Sequence, residues 1–355
     1  YPLKKYYTLL CNIVHYRGAK VITLIHDLGS FRRKRLTVLQ EIDRLQNSDY
    51  LITLNDSMSA WLQTKGCEVP KGELKIWDYL SPAIVLNKIE PATDYTVVYA
   101  GALGYNKNRF LYELDRLPRQ WHLSVYGTVL EADKILNKEY FSYNGFLPAD
   151  QLISSVQGDF GLVWDGDSYE ACTGNYGEYL RYNNPHKVSL YVRCHLPLII
   201  WEKAALAPFI KEKEIGICIN SLEELDGKLE KLTVDDYFKM KSRVIEISNL
   251  LSVGYFFTKA LDEAVKFLTK SDVVINPKYN FLTDFIYHLP GCFFKDGETI
   301  YQGRNILKKY DIQGYRLIVK RFKRPNIINQ IVYSFFRRSK ARRSFDYSLE
   351  VQKRG

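Results

Sequence analysis

The sequence predicts an α/β protein with two Rossmann-like domains facing a cleft, followed by a smaller α+β unit. Three observations predict this. Apolar strand candidates alternate with amphipathic helices from Lys20 to Gly66, and again from Tyr95 to Lys270. A Pro-containing linker, Lys88 to Asp94, separates the two series. After Ser271 the alternation gives way to short segments broken by Gly turns. Alternating strands and helices imply parallel pairing in a doubly wound sheet, whereas the last stretch reads as an antiparallel meander. The expected domains are 1–87, 95–270 and 271–355.

The first series opens with "YPLKKYYTLLCNIVHYRGAK" in a helical pattern, so a first strand and helix of such a domain are expected upstream of Tyr1. "KVITLIHD" reads as a buried strand and "RLTVLQEIDRLQNSD" as a helix, from its apolar residues at i, i+3, i+4. "YLITLN" is a second strand. "DSMSAWLQTKG" is a helix capped by Asp56 and closed by Gly66, and "ELKIWD" is a third strand. In the second series, "YTVVYAGALGYNKNRFLYEL" gives a strand, a Gly turn and a helix that begins at Asn106 and Lys107. "HLSVYG", "YFSYNGFLP", "DFGLVW", "LPLIIW" and "IGICIN" supply further strands, and helices from Val234 to Lys270 close this domain.

Composition is that of an ordinary globular chain, 46% hydrophobic and 25% charged, with 27 Tyr among 355 residues. The net charge of +10 is concentrated between Tyr315 and Arg343. A basic patch there suits nucleic acid, anionic lipid or a phosphorylated substrate, and equally a solvated face. No nucleic-acid motif accompanies it. The six Cys are scattered without a CxxC, a reducing-compartment pattern with no zinc signature, and Cys11, Cys194 and Cys218 sit in apolar contexts that suit buried thiols. No apolar run approaches the ~18 residues of a membrane span.

Four stretches carry chemistry. In "YNNPHKVSLYVRCHLPLIIW", Asn184 suits an N-cap and Pro185 the first helical position. His186 and Lys187 then stand on the first turn, the wrong end of the helix dipole for cations unless an anion binds there. The alternative is a solvated turn that tolerates mild repulsion. In "VVYAGALGYNKNRF", Gly101 and Gly104 make a turn that lets phosphate approach the backbone, or an ordinary strand-to-helix turn. In "LIHDLGSFR", His26 and Asp27 fall at the carboxyl end of a strand, where either could serve an acceptor hydroxyl as base or simply cap a helix. The loop "DGDSYEACTGNYGEYL" holds Asp165, Asn175 and Tyr179, and its polar groups favour sugar or ribose contacts over metal chelation.

Taken together, "VITLIHDLGSFR", "EIDRLQNSDYLITLNDSM", "YAGAL", "NGFLP", "FGLVWDG" and the Tyr182–Trp201 block resemble bacterial GT-B glycosyltransferases. The resemblance is to the galactofuranosyltransferase-like and adhesin-glucosyltransferase-like subgroup, over residues 1–268. It implies a C-terminal Rossmann domain holding a nucleoside diphosphate sugar, commonly a UDP-sugar, and an N-terminal domain holding the acceptor. It places Lys187 on the diphosphate with Gly101 behind it, Ser189 or Tyr191 near the ribose, and His26 and Asp27 on the acceptor side. No cofactor is implied for sugar transfer.

The tail has its own resemblance. "GETIYQGRNILKKYDIQGYRLIVKRFKRP" and "RRSFDYSLEVQKRG" look like the start of the N-lobe of lipopolysaccharide (Kdo/heptose) kinases. That implies Lys320 on phosphate and Glu350 as its ion-pair partner. No catalytic loop or metal-binding Asp follows within the sequence, so kinase activity is not expected of it. The combined expectation is a cytoplasmic enzyme moving a sugar to a hydroxyl of a surface glycan or glycolipid, with the basic tail as a peripheral contact to the inner membrane face. The alternatives are a lipopolysaccharide sugar kinase completed by a later lobe, and a non-catalytic nucleotide- or glycan-binding protein.

Overall fold

Strands buried on both faces decide the architecture, because such strands need helices on each side. The computed structural model describes residues 6–32, 36–86, 94–135, 139–270, 275–322 and 340–354. It divides into two units, Tyr1–Asp272 and Val273–Gly355.

The first half of the larger unit runs α1 (Tyr7–Tyr16), β1 (Ile22–Leu24), α2 (Gly29–Arg32), α3 (Val38–Leu45), β2 (Tyr50–Thr53), α4 (Asp56–Thr64) and β3 (Lys71–Glu73). Its strands pair in parallel in the order β1-β2-β3. Thr37 and Gln40 form a capping box at the start of α3. Helix α4 is capped by Asn55, whose Oδ1 accepts the Met58 amide at 2.8 Å, and not by Asp56, which is the first helical residue. The third strand precedes the expected "ELKIWD": Lys75, at φ 75°, turns the chain out of the ladder.

The second half contains β4 (Thr96–Ala102), α5 (Phe110–Glu113), β5 (His122–Thr128), β6 (Phe141–Tyr143), α6 (Ala149–Ser155), β7 (Phe160–Val163), α7 (Gly174–Tyr179) and α8 (His186–Arg193). It continues with β8 (Leu198–Trp201), α9 (Ala207–Lys213), β9 (Gly216–Ile219), α10 (Leu225–Glu230), α11 (Val234–Ser252) and α12 (Tyr255–Lys270). Six parallel strands lie in the order β6-β5-β4-β7-β8-β9, so the winding reverses between β4 and β7. In doubly wound sheets, ligands bind outside the carboxyl ends of the strands at that reversal. Helix α5 starts at Phe110; Asn106 and Lys107 belong to the turn before it.

Helix α12 also reaches back to the first half. Asp78 accepts the Phe256 and Phe257 amides at 3.1 and 2.6 Å, and the helix returns to β2 and β3, with Phe267 5.3 Å from Tyr50. Most of the expected linker, residues 87–93, lies outside the described residues. Cys11, Cys67, Cys172 and Cys194 are buried thiols, whereas Cys218 is only partly buried. Among the described residues, no helix is long and apolar enough to cross a membrane.

After a 3-10 helix over Pro277–Leu282, the smaller unit continues with α13 (Thr283–Cys292), a helix that includes Pro290, where the Gly-rich pattern had predicted meander. Strands β10 (Glu298–Gln302), β11 (Asn305–Ile312) and β12 (Tyr315–Phe322) then pair antiparallel in sequence order. Gln313 and Gly314 both take positive φ (51° and 81°) at the hairpin, as a two-residue turn between right-twisted strands requires. Helix α14 (Lys340–Arg354) follows. Lys320 is exposed, with its ammonium 4.9 Å over the Phe322 ring, and Glu350 is exposed on α14. The expected Lys320–Glu350 ion pair is not formed. The densest part of the basic run, Lys323 to Arg338, lies outside the described residues.

Gly161 on β7 shows how tightly this sheet packs. A Cβ there would stand 2.3 Å from Cγ of Tyr191, a fully buried ring whose hydroxyl accepts the Ala100 amide at 2.7 Å. Gly161→Ala is therefore expected to cost about 1–3 kcal/mol. Urea unfolding should show a lower midpoint with an unchanged slope.

Candidate functional site

The reversal between β4 and β7 is occupied by a buried ion pair. Lys187, on the first turn of α8, places Nζ 2.9 Å from Oδ1 of Asp165, just beyond β7. Nζ is also 3.0 Å from the hydroxyl of Tyr99 on β4 and 4.2 Å over that ring. The Tyr99 hydroxyl donates to the same Asp165 oxygen at 3.0 Å. Only 11% of each charged side chain is exposed. Burial pulls the Lys187 ammonium below its ordinary value of 10.5, Asp165 opposes that, and Lys107 adds to the depression. Burial and the Asp165 charge push the Tyr99 phenol well above its own. The structural cap of α8 is Pro185, and Asn184 does not perform the capping expected of it.

Asn184 instead joins the two halves. It is 3% exposed. Its Nδ2 donates to the carbonyls of Leu54 and Lys75 at 2.9 and 3.1 Å, and its Oδ1 accepts from Asn55 Nδ2 at 2.8 Å. The Asn184 carbonyl in turn accepts the Trp77 indole N–H at 2.9 Å. Directly beyond this clamp, His186 meets His26 of the other half, with 3.2 Å between the two Nε2 atoms. Trp77 packs against both rings, at 4.6 Å from His26 and 4.9 Å from His186. A contact between two Nε2 atoms requires one to donate and the other to accept.

Two hollows meet at His186 and Lys187. One, of about 220 Å³, lies between the halves and is lined by His26, Asp27, Trp77, Lys107, Asp165 and Tyr176 among others. The other, of about 510 Å³, lies over the carboxyl ends of β4 and β5, with Gly101, Gly127, Tyr126 and Phe146 in its walls. Gly127 has φ 154°, and a Cβ there would stand 1.8 Å from the Gly101 carbonyl. This pair of glycines lets the two strand ends close together. A larger hollow of about 870 Å³ lies by the start of β4 and β5, at Thr96 and His122, away from the carboxyl ends where such sheets bind ligands.

Two family models match the chain: glucosyltransferase 3-like, N-terminal domain, over residues 1–76, and glucosyltransferase 3-like, C-terminal domain, over residues 97–264. The β-1,6-galactofuranosyltransferase WbbI of Escherichia coli K12 is 32% identical over 248 residues, covering 69% of this chain and 71% of that protein. The chain belongs to the glucosyltransferase 3-like family. Glucosyltransferase 3 of Streptococcus gordonii is 29% identical over 254 residues, 70% of this chain and 71% of its own length. The structure of Anabaena Alr3699/HepE in complex with UDP superimposes with a TM-score of 0.51 at 11% identity, covering 75% and 77% of the two chains, a likeness of fold. The protein is a glycosyltransferase with the two Rossmann-like halves of the GT-B architecture.

Within this glycosyltransferase, the sequence-predicted residues divide into two groups. His26, Asp27, Lys107, Asp165, His186 and Lys187 converge on the hollow between the halves, and Gly101 lines the adjoining one. Ser189 and Tyr191 do not reach either. Both are fully buried, their hydroxyls taken by the Trp77 carbonyl at 2.6 Å and the Ala100 amide at 2.7 Å. Asn106 and Asn175 are exposed and absent from both linings. Tyr179 lines the hollow but is 2% exposed, its hydroxyl directed at Leu28 and Asp27. Among the described residues no three His, Cys, Asp or Glu side chains cluster in reach of a common ion; of the loop carboxylates, Asp165 pairs with Lys187 and Glu178 with Arg181.

Trp77, Tyr99 and Asn55 were missed by sequence reasoning. The only signal for Trp77 was an indole at the end of a strand candidate, and nothing local marked Tyr99 beyond an apolar strand. Asn184→Ala would strand the Lys75 carbonyl and one N–H of the Asn55 amide, at roughly 1–3 kcal/mol for each buried group left unpaired, whereas the Leu54 carbonyl keeps the Lys75 amide at 3.1 Å and Asn55 keeps the Tyr182 carbonyl at 3.0 Å. The expected outcome is a loss of at least about 2 kcal/mol, read from the urea midpoint.

Proposed function

We propose that the protein transfers a sugar from a UDP-sugar donor to a hydroxyl of a cell-surface glycan such as lipopolysaccharide or capsule. The observation that carries this reading is the buried Lys187–Asp165 pair at the amino end of α8, at the sheet reversal, between two adjoining hollows. The nucleoside occupies the hollow over β4 and β5. The diphosphate lies against the first-turn amides of α8 and the Lys187 ammonium, and the sugar enters the space between the halves. The UDP complex of the Anabaena fold neighbour and the galactofuranosyl transfer in the name of WbbI support the donor class.

The chemistry follows from charge. As the acceptor oxygen bonds to the anomeric carbon, the bond from that carbon to the diphosphate breaks and negative charge grows on the leaving oxygen. A fixed ammonium and helix amides in a site of low dielectric stabilise that charge. The acceptor hydroxyl loses its proton to Asp27 or His26, which stand on the opposite wall. Residues 271–355 are read as the opening of a kinase N-lobe that also offers cations to anionic lipid. An antiparallel sheet with Lys320 on its third strand and Glu350 on the next described helix supports this.

Calorimetric titration tests the donor site. UDP should bind this chain, and Lys187→Ala should weaken binding by at least about tenfold, the loss of one charge-assisted contact. No UDP binding, together with ATP-Mg binding sensitive to Lys320→Ala, would move the functional centre to the tail. A screen of UDP-glucose and UDP-galactofuranose against alkyl glycosides then identifies the pair that turns over.

The depressed Lys187 makes a second prediction. A diphosphate beside it favours the ammonium, so its pKa rises on binding. Between the depressed value and 10.5, UDP binding should therefore take up protons. Titrations in two buffers of different ionisation enthalpy should show this uptake growing with pH into that window, and Lys187→Met should abolish it.

A further inference from the structure

We propose that Tyr179, a residue of the donor half, is a positioning residue that sets Asp27 for attack by the acceptor. The inference rests on Asp27 serving the acceptor hydroxyl. Tyr179 closes α7 and is 2% exposed. A phenol has one hydrogen to give and two lone pairs to receive. Here the hydroxyl accepts the Leu28 amide at 2.9 Å and donates to Oδ1 of Asp27 at 3.3 Å. Its ring stacks on Phe31 at 5.5 Å with 29° between the planes, so the hydroxyl is held by packing at its base.

The turn that carries Asp27 is fixed from a second side. Glu41, 8% exposed on α3, accepts the Gly29 amide at 2.6 Å and the Ser30 amide at 3.0 Å. The three amides after Asp27 are therefore all bound, Leu28 by the donor half and the next two by the acceptor half. The Tyr179 hydroxyl, which binds the first of these amides, also touches the carboxylate. The segment that ends at Tyr179 begins at Asp165, the partner of Lys187. One connection in the donor half thus holds the cation for the leaving group at one end and the carboxylate for the acceptor at the other. Donor and acceptor chemistry are registered to each other through it.

Removing the hydroxyl separates this role from two rivals, a donor ligand and a plain structural bond. In the full chain, Tyr179→Phe keeps the ring stacking. With the UDP-sugar and alkyl glycoside that turn over, kcat should fall about 10- to 100-fold, the scale of a misplaced reacting group. The UDP dissociation constant and donor KM should stay within about twofold. In an Asp27→Asn background the same substitution should change the residual rate by less than about twofold, because its target is already gone. Glu41→Gln, which loosens the turn from its other side, should show the same split and serves if the Phe variant does not fold. An unchanged kcat, a loss of UDP affinity matching the loss of rate, or additivity with Asp27→Asn would each overturn the proposal. Full activity in Asp27→Asn would instead remove the role given to Asp27. An unchanged Tyr179→Phe beside an inactive Asp27→Asn would sink only the positioning role.

Discussion

The arrangement of the catalytic unit depends on the side-chain amide of Asn184. It sits two residues before the helix that carries Lys187, and its three side-chain hydrogen bonds all end on the other half of the molecule. A buried amide gains little over water when paired and costs heavily when unpaired, so such a network admits one mutual placement of the halves and penalises others. That placement puts His186 against His26, Trp77 under both, and Tyr179 on Asp27. A cleft enzyme needs its two walls in fixed register, and here polar matching supplies what a flat apolar contact would leave free to slide.

The Lys187–Asp165 pair answers a different need. Desolvating both charges offsets much of their mutual attraction, so a pair of this kind is weak support for stability. Its value lies in keeping an ammonium at the amino end of α8, held by one carboxylate oxygen, a phenol and, at 3.4 Å, the Trp164 carbonyl. Burial makes that cation reluctant to stay charged, and a polyanion relieves the reluctance. In the reaction proposed above, the same low dielectric that depresses the lysine would strengthen its hold on charge developing at the leaving group.

Close packing shapes the hollow over β4 and β5. Gly161 lets Tyr191 lie flat on β7, and Tyr191 then fixes the end of β4 through the Ala100 amide. Gly127 and Gly101 bring two strand ends within a carbonyl's reach, leaving the adjoining hollow floored by backbone. The return of α12 to β2 and β3 adds an apolar tie between halves to the polar one at Asn184.

What the sequence determined by itself is what local periodicity and residue chemistry can encode. The strands of the larger unit are short apolar runs between turn residues, so their existence and parallel pairing were legible, as was the cationic first turn of α8. That His26, Asp27, Asp165 and Lys187 line one hollow was legible because each stands at a strand end or helix start, where a doubly wound sheet gathers ligands. Boundaries and caps were less so: Asp56 and Asn55 are equally good caps by type, and only the hydrogen bond to Met58 chooses between them. Tertiary structure alone decided the roles of Asn184, Ser189, Tyr191 and Tyr179. A polar side chain next to a site has the same spelling whether it faces a ligand or a carbonyl more than a hundred residues away, and what separates the two is which groups the folded chain leaves in need of a partner.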